Sequence, residues 1–118
     1  IPNLQIFRPA DAVETAECWM LALRSVETPS VIALTRQNVP TICGGVSENR
    51  SAKGAYILAG SPADSTRLIA SGSEVSIALA ARDLLAKDGV SAAVVSMPSW
   101  ELFARQPAGR HGLPHLGL

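Results

Sequence analysis

The side chain best placed for chemistry is Arg36, inside the stretch SVIALTRQNVP from Ser30 to Pro40. A short apolar run, Val31-Ile32-Ala33-Leu34, stops abruptly at Thr35-Arg36-Gln37-Asn38. An apolar run with two β-branched residues predicts a strand buried on both faces, as in a parallel sheet. Open α/β sheets take their ligands beyond the carboxyl ends of the strands, where the polar end of this run falls. A planar guanidinium there suits a phosphate or a carboxylate. Spacing alone favours the plainer alternative, an arginine that closes a strand and pairs with a surface carboxylate.

Three other groups have residue types that could do chemistry. In Ser71-Gly72-Ser73-Glu74, free amides at a helix start attract anions, and Gly72 would let a phosphate come close. One glycine is neither the G-x-G-x-x-G fingerprint nor a Walker motif, so the turn reads as a plain helix cap. His111 and His115 are separated by Gly112 and Pro114 and do not share a helix face. With no third ligand nearby, zinc is not expected. Cys18 and Cys43 sit in unlike surroundings and suggest no disulfide framework. Cys43-Gly44-Gly45 reads as a turn and not as a redox motif.

The elements that must position these residues follow from punctuation and period. Residues 1 to 8 alternate as an extended lead-in that Pro9 ends. Asp11 reads as an N-cap, and Glu14 completes a capping box. The helix behind it should reach about Val26, with Ala12, Ala16, Trp19, Leu23 and Val26 as the buried stripe and Trp19 in the core. Thr28-Pro29 stops it and leads into the Arg36 strand. From Val39 the pattern breaks into a linker, VPTICGGVSENRSAKG, before a brief strand near Gly54 to Leu58 and a turn at Gly60-Ser61-Pro62.

Residues 66 to 97 form the clearest unit, a right-handed βαβ. Its strands are Thr66 to Ala70 and Val90 to Met97. Between them runs a helix whose stripe is Ile77, Ala78, Ala81, Leu84 and Leu85, closed by Gly89. Val75, Leu79 and Ala86 form a second face. Ser99 caps another short helix. Beyond Gln106 the text PAGRHGLPHLGL has no periodicity and reads as a loose tail.

Composition narrows the function. Ten basic and ten acidic residues among 118 leave no net charge, and aromatics are 4%. That argues against nucleic acid or an anionic membrane surface as partner. Hydrophobic residues at 47% describe a globular chain with no run approaching a transmembrane span. A reducing cytoplasm is the default for these cysteines. Position 1 is not Met, and two strands with one helix cannot bury their own faces. The first segment is therefore expected to be the tail of a domain whose body lies upstream.

FRPADAVET, ALTRQN, ASGSEV and VVSMPSWELF together resemble the transketolase family, in its order and at its spacing, over residues 1 to about 106. The resemblance implies an α/β fold made of parts of two three-layer domains with mainly parallel sheets, joined by a linker. Residues 1–46 would end the pyrimidine-binding domain, and residues 47–118 would begin the C-terminal domain. Residues 107–118 form an aberrant tail that a frameshift or a truncated gene prediction would produce.

The implied activity is transfer of a two-carbon ketol unit between ketose and aldose phosphates, in the pentose phosphate pathway or Calvin cycle. The family works as a homodimer with thiamine diphosphate and Mg2+ or another divalent metal. Arg36 matches the family arginine that contacts the substrate phosphate. The family's Gly-Asp-Gly metal and diphosphate motif does not occur here, nor do its catalytic histidines or its aminopyrimidine glutamate. The chain alone is expected to be inactive and to bind no cofactor. Dihydroxyacetone synthase, a relative using formaldehyde as acceptor, stays open. So does a non-catalytic α/β interaction or anion-binding module.

Overall fold

The computed structural model describes residues 2–44 and 48–106. The chain is α/β, with one small parallel sheet and one small mixed sheet. Strand β1 (Gln5–Phe7) and β2 (Ser30–Ile32) pair in parallel, Gln5 opposite Ser30 and Phe7 opposite Ile32. Helix α1 (Ala12–Arg24) connects them. The expected alternation of the lead-in holds from Gln5 on, with Gln5 and Phe7 buried and Ile6 and Arg8 facing outward, but Pro2 and Asn3 form a turn, Asn3 at φ 54°.

The second sheet has the order β3-β5-β4, formed by β3 (Tyr56–Ala59), β4 (Thr66–Ala70) and β5 (Ala92–Ser96). β4 and β5 run parallel from Thr66 opposite Ala92 to Ala70 opposite Ser96, whereas β3 is antiparallel to β5. Helix α2 (Glu74–Lys87) makes the crossover, and Gly89 follows it with a positive φ of 76°. Helix α3 (Trp100–Ala104) is capped by Ser99, whose hydroxyl accepts from the Leu102 amide. Every residue of β5 is buried because it is the central strand with packing on both faces. Val94 clusters with Val75, Leu79 and Leu68, while Val95 clusters with Ala55, Met97 and Phe103.

Four expectations from the sequence are corrected. The apolar stripe of α1 is not buried: Trp19 is 52% exposed and Val26 is 91% exposed. Asp11, Glu14 and Cys18 point inward instead. The carboxylates can do so because backbone amides and hydroxyls meet them there. On α2, Val75, Ala78 and Leu79 pack into the core, while Ile77 and Leu84 lie outside. Apolar residues occupy both sides of this helix, so period alone could not choose. Arg82 shares the inner side, its Nε donating to the Ala92 carbonyl at 2.8 Å.

β2 is shorter than its apolar run, and Val31 and Leu34 are exposed. Helix α1 packs against it, while Val31 on the strand is 46% exposed. The segment read as a linker is tied down as well. It contains a 3-10 helix at Arg50–Lys53 that packs on α1, and Cys43 is buried. Gly54 closes that helix at φ 83°, where a Cβ would lie 2.2 Å from the Phe103 amide nitrogen.

Candidate functional site

Arg36 stands in the loop that leaves the carboxyl end of β2, and its side chain is exposed. The loop is pinned at its start, where the Ala33 amide donates to the Phe7 carbonyl at 2.8 Å. Inside it, the Thr35 hydroxyl accepts from the Gln37 amide at 3.1 Å, a local turn of the kind threonine favours. Between this loop and the start of α1 lies a hollow of about 180 Å³, bordered by Ala12, Thr15, Thr35, Gln37 and Val39.

Asp11 serves two elements at once. Its Oδ1 accepts from the Glu14 amide at 2.9 Å, the N-cap bond expected of it. Its Oδ2 accepts from the amides of Ile42 and Cys43 at 2.9 and 2.7 Å, fastening the chain that returns from the Arg36 loop. Glu14 answers as in a capping box, one position further back: its Oε1 accepts from the Ala10 amide at 2.9 Å.

The other oxygen of Glu14 is the centre of a buried junction. Oε2 accepts from Tyr56 at 2.6 Å, from the Ser96 hydroxyl, and from the Cys43 thiol at 3.6 Å. Glu14 is 0% exposed, so its carboxylate is held by these donors instead of by water. One turn on, Glu17 accepts from the Ser51 hydroxyl at 2.8 Å and from the amides of Arg50 and Ser51. The guanidinium of Arg50 lies 4.6 Å over the Tyr56 ring, a cation–π contact.

Burial, reinforced by the Glu14 charge, pushes the Cys18 thiol up to about 12. Burial and Glu14 likewise push Cys43 and Tyr56 far above their ordinary values. These groups stay protonated at neutral pH; Cys43 and Tyr56 donate to the Glu14 carboxylate, and neither thiol is poised as a nucleophile. The junction therefore holds structure together.

Sequence reasoning placed Asp11 and Glu14 together at the helix start, as the structure does, but missed the buried partners of Glu14, which are Tyr56, Ser96 and Cys43. One signal was available: Glu14 and Cys18 lie four residues apart on the helix face that lacks the apolar stripe. The Ser71–Glu74 turn is built differently from the cap expected of it. Ser73 has helical backbone and makes no capping bond, while the Gly72 amide donates to the Arg8 carbonyl at 3.0 Å. His111 and His115 lie outside the described residues. Among the described residues no group of His, Cys, Asp and Glu could hold a metal ion, and no helix is long and apolar enough to cross a membrane.

Residues 1–41 match the family model described as "Transketolase, pyrimidine binding domain", and residues 54–111 match "Transketolase-like TK C-terminal domain". The chain belongs to the transketolase family. The transketolase of Cereibacter sphaeroides is 54% identical over 109 residues, covering 92% of this chain and 17% of that protein. A Pichia stipitis transketolase mutant in complex with fructose-6-phosphate superposes with a TM-score of 0.86 at 38% identity, over 97% of this chain and 17% of that one. The Campylobacter jejuni transketolase gives a TM-score of 0.82 at 39% identity, over 92% of this chain and 17% of that one. This transketolase-family chain thus spans about 17% of the length of the curated relative it matches. The C-terminal match runs into the tail, which lies outside the described residues.

Proposed function

We propose that the chain is a segment of a transketolase. Residues 1–46 end its pyrimidine-binding domain and residues 47–118 begin its C-terminal domain. The whole enzyme transfers a two-carbon ketol unit between ketose and aldose phosphates in the pentose phosphate pathway or the Calvin cycle, as a homodimer in the cytoplasm. Two buried free cysteines suit such a reducing compartment. Arg36 grips the phosphate of the sugar phosphate. The observation that carries this reading is the joint one: two successive transketolase domain matches, with an exposed guanidinium at the carboxyl end of β2 in the first.

Thiamine diphosphate with its divalent metal supplies the carbanion chemistry of the family. The described residues offer no donor set for that metal. What this chain's own residues do is orient: a fixed guanidinium locates one end of a substrate whose other end reacts elsewhere. Alone, the chain is inactive.

The test places residues 1–106 into the Cereibacter sphaeroides transketolase in place of the matching segment. Arg36→Gln should raise KM for a phosphorylated ketose roughly 10- to 100-fold, the loss of about 1.5–3 kcal/mol expected for a charge-assisted hydrogen bond. Values for an unphosphorylated ketose should not move. An equal effect on both substrates overturns the assignment of Arg36. Calorimetric titration of the 118-residue chain with thiamine diphosphate and Mg2+ should show no saturable heat; saturable binding overturns the view that the chain alone is inert.

A further inference from the structure

The Arg36 loop has no regular structure after Ile32, and Leu34 through Asn38 are exposed. A surface loop with one fixed end samples many conformations, and a guanidinium on it would be poorly aimed. The second fixed point is Asp11. Its carboxylate, 3% exposed, receives the amides of Ile42 and Cys43 just where the chain returns to the core. The same side chain caps α1, whose first turn borders the hollow against Thr35 and Gln37. Helix start and loop end are thus referred to one buried group.

We infer that Asp11 is a positioning residue for the substrate phosphate: by holding the Ile42 and Cys43 amides it fixes the loop that carries Arg36. This rests on the reading of Arg36 as the phosphate-gripping side chain. The two oxygens of Asp11 do separate work, which makes the idea separable from helix capping. Asparagine caps a helix about as well as aspartate. In Asp11→Asn, however, the carbonyl oxygen can stay on the Glu14 amide only by turning its NH2 towards two N–H donors.

The experiment uses the full chain, labelled with 15N, and inorganic phosphate as probe. In Asp11→Asn the Ile42 and Cys43 amides should exchange with solvent at least tenfold faster, while Glu14 keeps its protection. The resonances of Thr35 to Asn38 should shift or broaden, and the phosphate-dependent shift of Arg36 Nε should need three- to tenfold more phosphate. Asp11→Ser, with one oxygen for the cap and no NH2, should reproduce these effects without the donor clash. Unchanged exchange at Ile42 and Cys43, or faster exchange there with no change at Thr35 to Asn38 and Arg36, overturns the role of Asp11. If wild-type Arg36 shows no phosphate-dependent shift, the phosphate reading itself falls. The exchange and loop resonances then still decide whether Asp11 orders the loop.

Discussion

The Tyr56 hydroxyl donates to Glu14 Oε2 at 2.6 Å, from the first strand of the second sheet to the first helix of the chain. Neither group reaches water freely, because Glu14 is 0% and Tyr56 8% exposed. Changing Glu14 takes the acceptor from Tyr56, whereas changing Tyr56 leaves Glu14 one donor short. Glu14→Gln would set an NH2 against hydroxyl donors and should cost roughly 1–3 kcal/mol, the range for a buried polar group left unsatisfied. Tyr56→Phe should cost about 1.5–3 kcal/mol, the range for a hydrogen bond to a charged group. Urea melts of the single and double variants should show the double variant less destabilised than the sum.

Alkaline pH should loosen the same junction. The Cys18 thiol moves from an ordinary 9.0 to about 12 in the folded chain, first through burial and then through the Glu14 charge. Cys43 and Tyr56 are shifted in the same direction, burial again being the first cause. Since the folded values are raised, the unfolded chain releases protons first. The stability these groups contribute is whole below pH 9 and is lost as pH climbs through the folded values, from 9 to about 12 for Cys18. Melts between pH 7 and 11 should be flat at first and then fall. A thiol reagent at pH 7.5 should label neither cysteine until urea unfolds the chain.

Two glycines with similar backbone should respond differently to alanine. At Gly54 the added Cβ would meet the Phe103 and Ser99 backbone at 2.2 and 2.4 Å, besides requiring φ 83°. At Gly89, φ is 76° with nothing within 4 Å. Gly89→Ala should therefore cost only the left-handed penalty of about 1–2 kcal/mol. Gly54→Ala should exceed it, since α3 must also move. Thermal melts of the two variants give the comparison directly.

Trp19 tests the corrected orientation of α1. A core tryptophan replaced by a small residue costs about 3–5 kcal/mol. With half its surface exposed here, Trp19→Ser should cost about 1 kcal/mol or less in this chain. Its fluorescence should already lie near that of a wet indole and be quenched by iodide.

The contrast shows where the sequence was readable. Strand β4, helix α2 with Gly89, and the Asp11 cap are written in local chemistry: β-branched runs, turn residues and an acid at a helix start. The facing of α1 and α2 is not local. Whether Trp19 or Glu14 turns inward depends on Tyr56, Ser96 and Cys43, which stand on the other side of the fold and meet Glu14 only in three dimensions. The place of Arg36, exposed beyond the carboxyl end of a strand, was legible from the polar break after Leu34. The second oxygen of Asp11 was invisible, because its partners are backbone amides 31 and 32 residues away and carry no side-chain signature.

Arg8 bears on how such chains can be recombined. Its amide donates to the Pro98 carbonyl at 2.7 Å, and its carbonyl accepts from Gly72. A designer splicing halves from two relatives would cut near residue 45, where composition changes. The joins between the two parts lie elsewhere, at the peptide around residue 8 with the loops at 72 and 98, and at Glu14 with Tyr56 and Ser96. The backbone bonds at residue 8 would survive most exchanges, so hybrids that inherit Glu14, Tyr56 and Ser96 together should keep the two sheets in place, and hybrids that lose one of the three should be weakened.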